Sequence, residues 1–450
     1  MPISRSIAVV GSGISGLSAA WLLSKRHDVT LFEREGRIGG HSNTVEAPRS
    51  GAPVPVDTGF IVYNEDCYPN LVALFEHLGV PTAPSDMSFS VSLDRGQYEY
   101  SGSGLAGLFG QPSNLLRPSH WRMASDILRF FSEARELLQR DAVGGPSLGQ
   151  YLAEHCYSAA FVDRHILPMA AAIWSTPSTE VMDFPAASFV RFFDNHGLLQ
   201  ARHQPTWRTV VGGSRAYVRR MLDTMQARVV LDAGVSRIER DAAGVMIHAR
   251  DGLQRFDACV VATHADEALA LLGDASDDER LLLGAFRYQQ NRAVLHRDVD
   301  FMPLRRRLWS SWNYLGSGAG RQRTLSLTYW MNNLQPLDKR CPDLFVTLNP
   351  AHEIAADNTI AAFDYAHPML DAEAMAAQRV LWRLQGERRT WFCGSYFGYG
   401  FHEDGLQAGL AVAEEIGGVR RPWAVAEPSG RIHLGLARPR LWPQTLEAAE

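Results

Sequence analysis

The apolar run Ile7-Ala8-Val9-Val10 is short, unbroken and rich in β-branched residues, as in a strand buried on both faces. It runs into Gly11-Ser12-Gly13-Ile14-Ser15-Gly16. Leu17 to Ser24 then reads as a helix, and Asp28-Val29-Thr30-Leu31-Phe32 as a second strand ending at Glu33. This order predicts a βαβ unit and a parallel sheet. From about 118 to 172 the apolar positions fall at helical spacing, among them Ile127, Phe130, Phe131, Ala134, Leu137 and Leu138. Ser147 is placed to cap a helix over Leu148 to Tyr151. A helix from Arg215 to Met225 is followed by short strands at 229–231 and 235–238 and a hairpin over 244–249 and 254–257. Cys259 to His264 reads as another buried strand leading into a helix. Strands are also expected at Ala293–His296 and Thr324–Trp330. Near the end, Trp391 to Ser395 closes a strand, a glycine-rich loop runs through Gly409, and Leu410 to Ile416 reads as a helix.

Composition bounds the answer. The chain has 450 residues, enough for two or three domains at about 150 residues each. Hydrophobic residues make up 46% and charged residues 21%, a globular balance that excludes global disorder. A net charge of −5 argues against a general nucleic-acid binder. The five cysteines form no C-x-x-C pair, so neither a disulfide framework nor a zinc site is expected. No apolar run approaches the ~18 residues that span a bilayer. The expectation is a cytoplasmic protein, with room for peripheral contact at the inner face of the membrane. Only two lysines occur, Lys25 and Lys339, against many arginines, a bias that codon usage explains.

The first glycines have mechanical reasons. Gly11 permits a tight turn, Gly13 lets the backbone approach a pyrophosphate, and Gly16 lets the helix pack on the strand. The helix then offers its unsatisfied N–H groups and positive dipole end to the phosphates. Glu33 stands 22 residues after Gly11, where a carboxylate can take the ribose hydroxyls. Dinucleotide binding follows from the strands, the glycines and the acid together. NAD and FAD are not separated by it.

The segment Arg37-Ile38-Gly39-Gly40-His41 goes further, because this R-x-G-G extension resembles the amine oxidase, phytoene desaturase and protoporphyrinogen oxidase group of flavoproteins. The resemblance extends over about residues 5–418. It is carried also by W-R-T-V-V-G-G-S-R, V-A-T-H-A-D-E-A-L, Y-W-M-N-N-L-Q and Y-G-F-H-E-D-G. It implies an α/β fold, a Rossmann-type FAD-binding domain with an interleaved α+β substrate domain. FAD-domain parts are then expected at 1–80, 201–275 and 376–418. The substrate domain takes 81–200, its helical part, and 276–375, its sheet part, with a loose tail at 419–450. FAD contacts are implied for Gly11, Gly13, Ser15, Gly16, Glu33, Arg34, Gly39, Gly40, His41, Val235, Ser395, Gly405 and Leu406. Asp57-Thr58-Gly59-Phe60 would pass near the flavin ring or form an ordinary turn. No metal is implied.

Four departures from the group's pattern bear on chemistry. His41 stands where many members have arginine. Ser395 replaces an acid. His402 takes the place of a cage tyrosine and is a candidate acid or base. Tyr288 to Val294, where a lysine is common, has none. The chain resembles in particular the flavoprotein half fused to plant cyclopropane fatty acid synthases. That implies an apolar or acyl-lipid substrate, with a lipid methyltransferase as partner. The expected reaction is hydride abstraction and desaturation of a modified acyl chain, with His402 as base. Amine oxidation, flavin isomerisation and a non-catalytic partner of a lipid methyltransferase remain alternatives. Two aromatic runs, 173–175 and 184–196, would wall a cavity or pack a hinge. Arg305-Arg306-Arg307 would meet an anionic headgroup or lie solvated.

Overall fold

The computed structural model describes residues 4–139, 145–174, 181–195, 199, 205–318 and 324–435. Five strands form a parallel sheet in the order Arg228–Val230, Asp28–Phe32, Ser6–Val10, Ala258–Val261, Thr390–Phe392. Val10 is in register with both Phe32 and Val261, so the carboxyl ends of the three central strands finish level. The strands come from three distant stretches of chain, which makes this domain discontinuous. Their near-continuous apolar character follows from burial on both faces. A three-stranded antiparallel sheet, Arg237–Asp241, Gly244–Ala249 and Gly252–Phe256, adjoins it.

The helix Ile14–Leu23 packs against the C-terminal helix His402–Ile416. The latter starts eight residues before the Leu410 start expected from sequence. Gly405 and Gly409 look like loop residues but sit inside it, because only glycine permits the approach. A Cβ on Gly409 would lie 2.2 Å from the Ser15 carbonyl oxygen. Packing overrides the low helix propensity of glycine here.

The second domain centres on a seven-stranded sheet. Its order is Thr359–Met369, Arg287–His296, Phe345–Leu348, Thr324–Trp330, Trp312–Ser317, Phe89–Leu93, Tyr98–Ser101. Phe89–Leu93 and Tyr98–Ser101 fall within the 81–200 stretch expected to be helical, yet complete this sheet. Helices from the same stretch pack beside them. Phe130, Ala134 and Leu137 are buried there, and Ser147 caps Leu148–Glu154 in a capping box with Gln150. Phe189 and Phe193 are buried in this helical core, Phe184 is buried beside Leu148, whose N–H its carbonyl accepts, and none of the three walls the cavity. Ser175 and His196 lie outside the described residues.

Residues 419–435 correct the expected loose tail. The Arg421 guanidinium reaches Glu414 at 2.9 Å and Asn70 Oδ1 at 2.9 Å. Trp423 stacks on Trp21 at 6.0 Å. Arg431 pairs with buried Asp404 at 3.4 Å. Single side chains anchor this segment one by one, which leaves no periodicity to read.

Candidate functional site

A cavity of about 1050 Å³ opens at the carboxyl ends of the parallel strands and extends under the seven-stranded sheet. Open α/β sheets bind ligands at this end. Its volume lies just above the ~300–1,000 Å³ usual for ligand clefts.

One end is polar. Gly11 has φ +100°, and a Cβ there would meet the Ala262 carbonyl at 2.8 Å. A Cβ on Gly16 would lie 1.8 Å from the Gly11 carbonyl oxygen. Gly13 differs, because its Cβ would meet nothing within 4 Å and would project into the open cavity. At Gly40, φ +54°, an added Cβ would lie 3.1 Å from the Gly13 Cα, so the second glycine pair packs close to the first turn. No side chain caps the helix that starts at Ile14, so its first N–H groups remain for a ligand. Glu33 accepts hydrogen bonds from the Ser12 N–H at 3.0 Å and the Glu35 N–H at 2.9 Å. Arg34 pairs with Glu267 at 2.7 Å on the same wall. An uncapped helix start, two glycine turns and a carboxylate suit a dinucleotide pyrophosphate and ribose.

The middle of the cavity is built from rings. His41 is flanked by Tyr365 at 4.9 Å and His367 at 5.4 Å between centroids. Its Nε2 is buried without a partner among the described residues. Such an orphaned polar atom fits a wall awaiting a polar ligand. Burial holds the His41 ring well below its ordinary pKa, and His367 and His264 add to the effect. His367 bonds Asn291 at 2.9 Å, and burial pushes its pKa down to about 4. His402 lies face to face with Phe60 at 3.8 Å, and its Nε2 is 2.7 Å from the Tyr217 hydroxyl. Burial pushes its pKa down to about 3. A ring so weakly basic carries no proton at neutral pH.

The far end is apolar, lined by Met87, Phe89, Met169, Trp312, Tyr329 and Leu348. The strand Arg287–His296, which covers the lysine-free stretch Tyr288 to Val294, sends Gln290 to the cavity. No lysine lies on the described wall.

The structure gathers Gly11, Gly13, Ser15, Glu33, Arg34, Gly40, His41, Val235, Ser395 and His402 on one wall. Thr58, Gly59 and Phe60 join them, whereas Asp57 is buried behind, taking hydrogen bonds from Thr44, Ser214 and Gln335. Behind the wall, Gly16 lies in the helix Ile14–Leu23 against the Gly11 turn, and Gly39, at φ +120°, shapes the second turn. Gly405 and Leu406 are placed differently from expectation. Gly405 packs on Ser15, its N–H bonds Phe401 within the helix, and Leu406 is buried in the core. The earlier helix start moves them past the first turn, where N–H groups are already paired. Tyr217, Tyr365 and His367 were not read from sequence. The alternation Phe363, Tyr365, His367 on one strand was the available signal. Arg305 pairs with Glu99 and Arg306 with Asp343, away from the cavity.

Comparison with known proteins agrees with this geometry. The family model described as flavin containing amine oxidoreductase matches residues 14–282. AofH of Mycobacterium tuberculosis, named as a candidate flavin-containing monoamine oxidase, is 29% identical over 271 residues. The match covers 58% of this chain and 57% of that protein, so the chain spans little over half the length of this curated relative. Among solved structures, putrescine oxidase bound to putrescine superposes with a TM-score of 0.66 at 15% identity, over 92% of this chain and 99% of that one. A CLA-producing fatty acid isomerase from P. acnes gives 0.64 at 15% identity, over 91% and 97%. Cyclohexylamine oxidase from Brevibacterium oxydans gives 0.61 at 16% identity, over 92% and 100%. These likenesses show the fold.

Proposed function

We propose, for a chain that belongs to the flavin containing amine oxidoreductase family and takes FAD as cofactor, that its substrate is an apolar, modified acyl chain that it desaturates. The observation that carries this reading is the far end of the cavity. Met87, Phe89, Met169, Trp312, Tyr329 and Leu348 offer hydrocarbon and ring faces, and the carboxylates that line the cavity, Glu33, Glu35, Asp266, Glu267 and Asp364, stand on other segments. Apolar walls of this kind take substrate by burial of its surface.

The flavin would supply two-electron acceptance, taking a hydride from one substrate C–H bond, while the proton of the neighbouring carbon would pass to water as the C=C bond forms. The chain's residues bind and orient. The uncapped start of Ile14–Leu23, with Gly13 and Gly40, would hold the pyrophosphate, and Glu33 the ribose hydroxyls. His41 would offer its unpartnered Nε2 to a polar edge of the cofactor. His402 acts as a neutral wall fixed by Phe60 and Tyr217, in place of the base expected from sequence. Its lowered basicity suits shape and a fixed dipole better than proton uptake.

Amine oxidation is the second reading, favoured by the rings of Phe60, His402 and Tyr365 around the cavity. Membrane lipids from cells with and without the protein separate the two. Desaturation predicts that a methylated or cyclopropane chain accumulates when the protein is absent. Identical lipid profiles would count against it.

A further inference from the structure

The helical layer of the second domain carries a run of apolar side chains on its outside. Leu105 is 76% exposed and Leu116 86%, with Leu115, Trp121 and Leu128 also exposed. Trp121 and Leu128 stand seven residues apart on the helix Pro118–Glu133, hence on one face. The face is continuous. Trp121 packs on Phe109 at 4.6 Å and donates its Nε1–H to the Leu115 carbonyl at 3.0 Å. Leu304, 73% exposed, abuts Gly96 beside it. Large contiguous apolar exposure marks an interaction surface rather than ordinary scatter.

Basic side chains predominate around this face, and Glu133 at the end of the helix pairs with Arg129 at 4.0 Å. No Asp or Glu occurs from Tyr100 to Ser125, while Arg117 and Arg122 fall there. The acids nearest the face are engaged. Asp126 is buried and takes the Ser158 N–H as well as the Arg122 and Arg129 guanidiniums. Glu99 is buried with Arg305, and Asp343 pairs with Arg306. Arg307 is exposed with no ion pair among the described residues. Leucines and a tryptophan rimmed by arginines are the composition of a surface that lies in the headgroup layer of a bilayer.

We propose that this face seats on an anionic phospholipid bilayer. The layer that carries the face packs against a strand of the cavity wall. The Gly102 N–H donates to the carbonyl of Phe89 at 2.8 Å, and the Phe89 side chain lines the cavity. Phe89 and Leu108 pack against the same buried cluster as Tyr100 and Phe130. The seating stands independently of which substrate is oxidised. No helix among the described residues is long and apolar enough to cross a membrane, so contact is at the surface.

The test is co-sedimentation of the FAD-loaded full chain with vesicles. One set holds phosphatidylglycerol and phosphatidylcholine, the other phosphatidylcholine alone. The chain pellets with the anionic vesicles, less so at high salt. Leu105→Ser with Leu116→Ser weakens pelleting by about tenfold or more at unchanged FAD content. Arg122→Gln with Arg307→Gln removes the preference for the anionic vesicles. Failure to pellet, or equal pelleting by wild type and the leucine variant, would overturn the proposal. So would a lipid-free dimer that the leucine variant abolishes, because the face would then cover a second copy of the chain.

Discussion

The Tyr217 hydroxyl stands 2.7 Å from Nε2 of His402 and also bonds Oγ of Ser42, tying three distant segments behind the cavity wall that His402 lines. His402 thereby gains a fixed ring plane against Phe60, and its burial keeps it neutral. His402→Phe preserves the stack and loses the hydrogen bond. We expect FAD retention, turnover within about tenfold of wild type, and loss of about 0.5–1.5 kcal/mol in stability from the lost hydrogen bond, since Ser42 still pairs the Tyr217 hydroxyl. The pH profile of kcat/KM between pH 5 and 8 should be unchanged. A limb present in wild type and absent in the variant would restore His402 as a base.

Two neighbouring glycines should fail differently. Gly16→Ala drives a methyl group to within 1.8 Å of the Gly11 carbonyl oxygen, so the turn must move and the fold suffers. Gly13→Ala meets only open space in the protein. Its apo melting temperature should stay near wild type while FAD affinity falls by about tenfold or more. Calorimetry and flavin titration of both variants measure the contrast. Equal FAD affinity in Gly13→Ala would place the pyrophosphate elsewhere.

Arg431→Met should be severe. The substitution leaves Asp404 buried without its cation, a loss of about 3–5 kcal/mol for broken buried pairs. Denaturant unfolding reads it directly. A change under about 1 kcal/mol would return residues 419–435 to the status of a loose tail.

Acid should destabilise the protein through its buried histidines. Burial pushes His296 to about 4 and His402 to about 3, below the ~6.5 of an unfolded chain. Between those values the unfolded state binds protons that the folded state does not, so stability rises with pH. Their contribution is full above about pH 6.5 and is lost as pH falls toward 4. Fully buried His296 loses at most about 2 kcal/mol at pH 5. A melting temperature that holds steady from pH 7 to pH 5 would contradict this.

The βαβ start was legible because each of its features is local: an apolar run, three glycines and an acid at fixed spacing. Gly13 and Glu33 lie on the cavity wall, and so does His41, which the family resemblance rather than the spacing singled out. Gly405 and Leu406 were misplaced because their setting is not local. Helix–helix contact with Ser15 decides where that helix begins, and glycine propensity points the other way. The Ser42–Tyr217–His402 chain spans 360 residues of sequence, and no pattern within one segment announces it. The neutrality of His402 follows from enclosure by other segments and was equally hidden. The apolar far end draws on residues from Met87 to Leu348, so its character appears only after folding.

The central claim is an acyl substrate, and anaerobic mixing tests it most directly. FAD-loaded protein is mixed without oxygen with phospholipids bearing methylated or cyclopropane acyl chains, and separately with amines. The account predicts loss of the oxidised-flavin absorbance with a lipid and none with putrescine or cyclohexylamine. Bleaching by an amine, with no response to any of the lipids, would contradict it.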